Sequence, residues 1–464
     1  MPNQQNHAPI LVRVFCGALI LVTVTAAALT TGAEGRTIEL ACSLNTCISQ
    51  AGGGDANWYL QAGQALADGN WIPQQLSWIY NLWPPGMPAF YAAIIVIWGT
   101  HSYMGFVILV TMILAITAMF AIPLMRPIRS RELFLTTLVG VTLPFASFMT
   151  EWPLGEGFAY ADGLSVACMF VGIFLVIEAT QKRHRGRVSI PIIASLLIAF
   201  SAYLRATGEI FADILLLAAL LTSMPVVLHT EIRILRTRQT RKPLRRRVYL
   251  NWIAPLLIVT ILTQLWLAPW RVHTHRDHGA VTFTSVQVWN ISWMPDSAFD
   301  STGAIFLRWG LNGMCRSYPS QCASISALEQ ANPGAYSGHA YYSDSDFRRL
   351  AIASLIRNPV PWLQNRFYVI WHGATAEIST WRMISLALAF LGFIATAFLS
   401  VLLVIRRKNP ILVITLTSLT ISTLTPILVS HFEPRYLLPL QLAGLISVYA
   451  FTIGIPIKRR SQNR

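Results

Sequence analysis

Charged side chains are scarce in this sequence. Only 12% of its 464 residues are Asp, Glu, Lys or Arg, whereas 54% are hydrophobic. Soluble domains are roughly one quarter charged, so this composition excludes an ordinary soluble enzyme. Apolar runs of about 20 residues recur, and each is long enough to cross a bilayer as a helix. The short alternating segments of a membrane β-barrel are absent from the sequence. It therefore predicts a polytopic, all-α membrane protein.

Acidic residues are scarcer than basic ones: 20 Asp and Glu stand against 35 Lys and Arg, a formal net charge of +15. Such an excess can indicate nucleic-acid binding, but here the basic residues form short clusters between the apolar runs. Lys and Arg in that position are typical of the cytoplasmic side of a membrane. We therefore predict no nucleic-acid partner. The clusters are Arg126–Arg131, Gln181–Arg187, Arg233–Arg247, Arg406–Lys408 and the C-terminal tail.

Placing every basic cluster inside predicts about ten transmembrane helices, with both termini cytoplasmic. A cleaved signal peptide is the alternative for the first, but no clear cleavage site follows it. The chain then forms a single membrane domain, 1–464, with two long external loops at about 32–103 and 270–382. The predicted spans are Pro9–Thr31, Met104–Met125, Leu133–Met149, Leu164–Ile177, Ile190–Tyr203, Ile210–Leu228, Tyr249–Leu267, Met383–Ile405, Ile411–Ser430 and Leu437–Ile457.

Cysteine is also rare, with six in the chain. The pairs Cys42–Cys47 and Cys315–Cys322 each close a small segment in one of the two external loops. An oxidising compartment favours disulfides at both places, and four unpaired thiols are the alternative. The other two, Cys16 and Cys168, fall in predicted spans, where we expect inert thiols.

The first external loop contains the stretch Gly52–Trp71, in which three glycines precede Asp55. This aspartate either caps the helix that follows or serves chemistry. Apolar residues then recur at helical spacing from Trp58 to Leu66, which predicts a helix lying along the membrane surface. Pro84-Pro85 interrupts any helix, and the apolar segment after it is too short to span a bilayer. We expect it to dip into the outer leaflet.

Most acids, together with several arginines, fall on the predicted external side. Charges near a bilayer are costly unless paired or functional, so this layer is the best candidate for a site. Arg205, Glu209 and Asp213 follow at spacings of four residues and share a helix face, which favours an ion pair or a phosphate contact by Arg205. Arg271–His278 contains three histidines. It is a polar linker, a basic segment near a phosphate, or a zinc ligand set.

Three features in a fixed order resemble the GT-C superfamily of membrane glycosyltransferases. The first external loop opens with Gly-Asp-x-x-x-Tyr at Gly54–Tyr59 and continues to Pro84-Pro85. Asp346–Trp371 is similar to a surface helix that precedes a late span in that superfamily. His431–Leu440, "HFEPRYLLPL", is similar to a Glu-x-Arg-Tyr-x-x-Pro signature at its last spans. The resemblance is nearest to the branch of protein O-mannosyltransferases and aminoarabinose transferases.

The resemblance implies an integral-membrane enzyme that moves a sugar from a polyprenyl phosphate to an envelope glycan, lipid or protein. The site would face the exterior of the inner membrane, next to membrane lipid. It implies Asp55 as the catalytic carboxylate and Glu151 and Asp162 as a second acidic site. Cationic groups must stabilise the leaving phosphate, and an arginine fork suits that task. The arginines expected there are Arg205, Arg271 and Arg435. No cofactor is required. A divalent metal stays an alternative without support: the Asp-x-Asp at Asp344 and Asp346 could hold one through its oxygens, but it immediately precedes a helical run, whose N-terminus favours acids.

Two other functions fit an external layer of charges. An oligosaccharide polymerase or ligase of the envelope would use external arginines and a large late loop, but would not require Asp55. A lipid or sugar transporter would favour polar residues at mid-bilayer and matching broken helices in two halves. The charges here fall at the ends of the predicted spans instead.

Overall fold

The computed structural model describes residues 54–71, 73–76, 79–80, 83–98, 162–179, 189–236, 253–278, 359–360, 363, 387, 390–398, 400–401, 410–429 and 440. Within these residues all regular structure is helical and none is a strand. The α-helices are α1 (Gly54–Ala67), α2 (Gly86–Trp98), α3 (Asp162–Ala179), α4 (Ser189–Leu204), α5 (Ala206–Arg236), α6 (Ala254–His278) and α7 (Pro410–Val429). A 3-10 helix, Gln74–Leu76, lies between α1 and α2.

Helices α3, α4, α5, α6 and α7 fall on five of the segments that the sequence predicts as spans. Residues 390–398 and 400–401 are also helical and fall within Met383–Ile405. The spans Pro9–Thr31, Met104–Met125 and Leu133–Met149 lie outside the described residues, as does nearly all of Leu437–Ile457. Both predicted disulfide pairs lie outside them too. The helical class is therefore confirmed for the described part, while the number of spans and the division into one domain stay predictions.

Among the described residues, one helix is long and apolar enough to cross a membrane. It is the segment Ala254–Arg276 within α6, which has 23 residues. Helices α2 and α4 and parts of α3 and α7 are apolar but shorter by this measure.

The end of α6 corrects the sequence interpretation. The predicted span ended at Leu267 and the external loop began at Trp270, but α6 continues to His278. Arg271–His278 is therefore the last part of a helix and not a polar linker. The helix continues beyond the apolar run, and there Glu209 and Asp213 of α5 balance the charge of Arg271. Near Pro269, the Tyr203 hydroxyl donates to the carbonyl of Trp266 (2.9 Å), which ties the end of α4 to this turn of α6.

Helix α4 lies at the centre of the described helices. It packs against α3, α5 and α6 and also touches α2, while α5 contacts α6 and α7 in addition. The buried face of α4 consists largely of small residues, among them Ala194, Ala199 and Ala202. Short side chains allow neighbouring helices to approach closely, as they do between membrane helices.

The two short helices of the first predicted loop pack against each other. Helix α1 ends because Gly69 takes a φ of 84°, a conformation that glycine adopts without steric cost. The Gly69 N–H donates to the carbonyl of Leu66 (3.1 Å) and the Asn70 N–H to that of Ala65 (2.9 Å), which forms a Schellman cap. Helix α2 has 13 residues and begins directly after the two prolines, as the sequence predicts.

Candidate functional site

Arg205 lies at the junction where α4 ends and α5 begins. Its N–H donates to the carbonyl of Ser201 (2.9 Å), and its own carbonyl accepts from the N–H of Gly208 (2.9 Å). Only 8% of the residue is exposed, and its Nη1 lies 3.5 Å from the phenolic oxygen of Tyr59. Burying a guanidinium is costly without polar partners. The Tyr59 hydroxyl is one such partner, so the junction holds a buried positive charge next to a polar group of α1.

Asp55 lies in the first turn of α1, one turn before Tyr59. Residues four apart share a helix face, so Asp55 occupies the same side of α1 as the residue that contacts Arg205. The helix begins at Gly54, so Asp55 lies in its first turn, and the capping role and the chemical role both stay predictions. An acidic residue is still favoured there, because the N-terminus of a helix carries a partial positive charge.

Asp162 is the first residue of α3, and packing between α3 and α4 brings it toward the same junction. Ser165, one turn further along α3, contacts the Ser201 hydroxyl (2.9 Å) and donates to the Ser201 carbonyl (2.9 Å). Both serines are fully buried. Ser201 in turn lies one turn before Arg205, so the start of α3 and the end of α4 lie at the same end of the bundle.

Two aromatic contacts hold the first predicted loop in place, one within the loop and one between the loop and α6. The ring of Trp83 packs edge-on against Tyr59, with centroids 5.3 Å apart. The ring of Tyr80 meets that of Trp270 on α6 at 6.1 Å. Burial raises the pKa of Tyr80 to about 12, so the phenol stays protonated at neutral pH and the contact is between neutral rings.

The closest approach of the loop to the bundle is at Gly86. A Cβ there would overlap the carbonyl oxygen of Tyr203 and lie 2.9 Å from the amide nitrogen of Leu204. The start of α2 therefore lies directly against the backbone at the end of α4. The loop and the Arg205 junction are packed together without space for a side chain at this point.

Arg271, the second predicted phosphate ligand, lies on α6 and pairs with two acids of α5. Its Nε donates to Glu209 Oε1 (2.7 Å), and its Nη2 contacts Asp213 Oδ1 (2.8 Å) and Oδ2 (3.0 Å). Its Nη1 donates to Gln264 Oε1, and the Gln264 amide donates to Asp213 Oδ1 (2.9 Å). The sequence grouped the two acids with Arg205, and the structure adds Arg271 as their partner from another helix.

Sequence reasoning missed the roles of two residues. Tyr59 was placed in the apolar stripe of α1 and in the Gly-Asp-x-x-x-Tyr motif without a polar role, although it contacts Arg205 through its hydroxyl. Gln264 was not singled out, although it joins Arg271 to Asp213. The seven-residue spacing from Gln264 to Arg271 places both on one helix face and was the available signal for this pair.

The remaining predicted residues, Glu151 and Arg435, lie outside the described residues. The Asp-x-Asp at Asp344 and Asp346 lies outside them as well. Within the described ranges, no group of three or more His, Cys, Asp or Glu residues is arranged to hold a metal ion. His273 and His275 lie in the last turns of α6, where the His273 ring is 4.5 Å from that of Trp270.

Comparison with known proteins adds no assignment: no protein family, curated protein or solved structure matches this chain. The resemblance to the GT-C superfamily therefore stays a prediction, and functional inference depends on the geometry around Arg205.

Proposed function

We propose that this chain is a multi-pass inner-membrane glycosyltransferase of the GT-C type. It moves a sugar from a polyprenyl-phosphate donor to a glycan, lipid or protein of the cell envelope, on the external face of the membrane. The observation that carries the proposal is the contact between Tyr59 and Arg205. It brings the helix that contains Asp55 to a buried arginine at the end of two apolar helices.

The distribution of side chains on α4 supports a lipid environment. Its alanines are buried together with Ser195, Ser201, Ile198 and Leu204, whereas four of its large apolar side chains are exposed. A soluble protein buries large apolar residues first, but membrane helices pack through small residues and turn large ones toward lipid. The exposed residues are Ile192, Ile193, Leu196 and Phe200. Helices α5 and α6 likewise expose large apolar residues, namely Leu217, Leu220, Leu221, Ile258, Ile261 and Leu265.

The proposed reaction assigns different tasks to the two charges. Asp55 removes the proton from the acceptor hydroxyl, or orients an acceptor amide, as its oxygen or nitrogen attacks the anomeric carbon. The bond from that carbon to the phosphate oxygen breaks, and the polyprenyl phosphate leaves. Arg205 stabilises the negative charge on the leaving phosphate, which is worth most in a site that excludes water. Asp162 lies at the same end of the bundle and belongs to the second acidic site.

Asp55→Asn tests the proposal with little change in shape. The purified chain would be reconstituted in nanodiscs and assayed for transfer from a panel of polyprenyl-phosphate sugars. Loss of general-base action lowers a rate by about a hundredfold or more, and we expect that loss here. Asp68→Asn is the matched control: it makes the same change in the same loop, at an exposed carboxylate bonded only locally to Gln64 (3.1 Å).

A folded Asp55→Asn variant that transfers sugar at the rate of the unsubstituted chain would refute the role of Asp55. Activity as an envelope polymerase or ligase would survive that substitution, because such an enzyme does not require this carboxylate. The same assay therefore separates the two enzyme classes.

A further inference from the structure

All three nitrogens of the Arg271 guanidinium have protein partners. Nε bonds Glu209, Nη2 bonds both oxygens of Asp213, and Nη1 bonds Gln264. An arginine binds phosphate through two parallel N–H groups of its planar fork. Here carboxylates already occupy that geometry. A phosphate could bind Arg271 only by displacing the carboxylates of Glu209 and Asp213, which lie 2.7 and 2.8 Å from the guanidinium.

The burial of the partners shows what this ion-pair cluster stabilises. The Glu209 side chain is 3% exposed, whereas Arg271 is 22% and Asp213 is 46% exposed. Removing one partner of a buried pair leaves a charge without compensation and is strongly destabilising. The cluster therefore ties the beginning of α5 to the end of α6, with its tightest link at Glu209.

Glu209 lies in the first turn of α5, one turn after Arg205. The backbone of that turn is short and bonded, since Gly208 donates to the Arg205 carbonyl. A force that holds Glu209 against α6 therefore also fixes the position from which the Arg205 side chain projects. Asp213, one turn further on, contributes to the same constraint from the exposed side.

We propose that Arg271 is a positioning residue and not a phosphate ligand. It holds Glu209, and through Glu209 the α4–α5 junction, so that Arg205 is placed for the donor phosphate. This inference rests on the proposed function, in which Arg205 contacts that phosphate. It separates the arginines that the sequence grouped together into one that binds and one that orients.

The test measures the affinity of nanodisc-embedded protein for a short-chain polyprenyl monophosphate. The variants are Glu209→Gln, Arg271→Gln and the double substitution. If Arg271 positions Arg205, both single substitutions weaken binding by roughly tenfold, and the double variant is no weaker than the worse single one, because residues of one network are not additive. If Arg271 binds phosphate, Glu209→Gln releases the guanidinium, and affinity stays unchanged or rises; that result would overturn the inference.

Arg276→Gln is the matched control, because Arg276 lies on the same helix but is exposed. We expect its affinity to stay within about twofold of the unsubstituted chain, in line with the small effect of exposed charges. A loss equal to that of Arg271→Gln would indicate general attraction of the anion by positive charge, and would also overturn the inference.

Asp213→Asn decides the matter if the buried variants do not fold. Asp213 is half exposed, so this substitution keeps the shape and removes one of the two carboxylates on Arg271. Positioning predicts affinity about two- to fivefold weaker, within the range of coupling between neighbours; unchanged or tighter binding contradicts it. An unsubstituted chain that does not bind the polyprenyl phosphate would overturn the proposed function, and this inference with it. If the unsubstituted chain binds the polyprenyl phosphate, but Glu209→Gln or Asp213→Asn leaves the affinity unchanged or raises it, only the inference about Arg271 is overturned.

Discussion

The Nη1 atom of Arg205 lies 3.5 Å from the phenolic oxygen of Tyr59, although the two residues are 146 positions apart in the chain. Tyr59 belongs to a short helix of the first predicted external loop, and Arg205 lies between two apolar helices of the bundle. The Tyr59 side chain is fully buried, with Trp83 against its ring. The contact is therefore a docking point at which the loop is fixed relative to the cation.

Tyr59→Phe removes the hydroxyl at this docking point and keeps the ring against Trp83. We expect a folded protein that is less stable by about 1 kcal/mol, the typical contribution of a hydrogen bond. Transfer from the polyprenyl-phosphate sugar should fall several-fold because Arg205 loses a partner that orients it. Thermal unfolding in detergent and the transfer assay measure the two effects.

The control for that substitution is Tyr203→Phe. It also removes one hydroxyl, which donates to the Trp266 carbonyl and not to Arg205. It should lower stability similarly and affect transfer less. If Tyr59→Phe loses stability but keeps full transfer activity, the contact with Arg205 is structural and has no role in the reaction.

Gly86→Ala should push the start of α2 away from the end of α4. The new methyl group would overlap the backbone of Tyr203, and backbone cannot move aside as a flexible side chain does. Overpacking of this kind costs about 1–3 kcal/mol, and we expect sugar transfer to fall along with thermal stability.

Gly69→Ala provides the comparison for Gly86→Ala. It also adds one methyl group in the first loop, but no heavy atom lies within 4 Å of that position. Its cost, roughly 1–2 kcal/mol, comes only from the left-handed backbone conformation. Transfer should therefore be retained. Equal losses of activity in the two variants would argue against the close approach at Gly86 as the cause.

Spin labels at Leu196 and Leu265 should report a lipid environment. Both side chains are exposed on apolar helices, and in a bilayer they would face acyl chains. Oxygen, which concentrates in lipid, should therefore relax these labels more than a water-soluble nickel chelate does. A label at Asp68, in the first predicted loop, should show the opposite preference. Higher access of the nickel chelate at Leu196 would exclude the proposed lipid-facing surface of α4.

Cysteine labelling in intact cells tests the predicted orientation. One reporter cysteine replaces Asp68 in the first predicted loop, and another replaces His275 near the end of α6. The Tyr80–Trp270 contact joins that loop to α6, so both positions should lie on the same side of the membrane. A membrane-impermeant maleimide should modify both from outside. A cysteine at Gln239, within the largest basic cluster, should react only after the membrane is permeabilised, as expected for the cytoplasmic side. Outside labelling at Gln239 would reverse the proposed topology.

Hydropathy and turn residues alone predicted where most of the described helices lie. Apolar runs identified α3, α4, α5, α7 and most of α6, and Pro84-Pro85 identified the start of α2. These features are local, since a helix satisfies its own backbone hydrogen bonds within one segment. The end of α6 was missed for the opposite reason. Its last turns contain charges, and these are balanced by Glu209 and Asp213, which lie 62 and 58 positions away from Arg271.

Composition, charge pattern and spacing alone predict a chain rich in apolar helices, with acids and arginines at the ends of the predicted spans and a helix that starts near Asp55. Which of those charges meet depends on how the helices pack. That packing places Tyr59 beside Arg205, and Arg271 beside Glu209 and Asp213 of α5. Periodicity defines the faces of a helix, but the pairing of faces depends on close packing between small side chains from distant segments, and no local pattern in the chain contains that information.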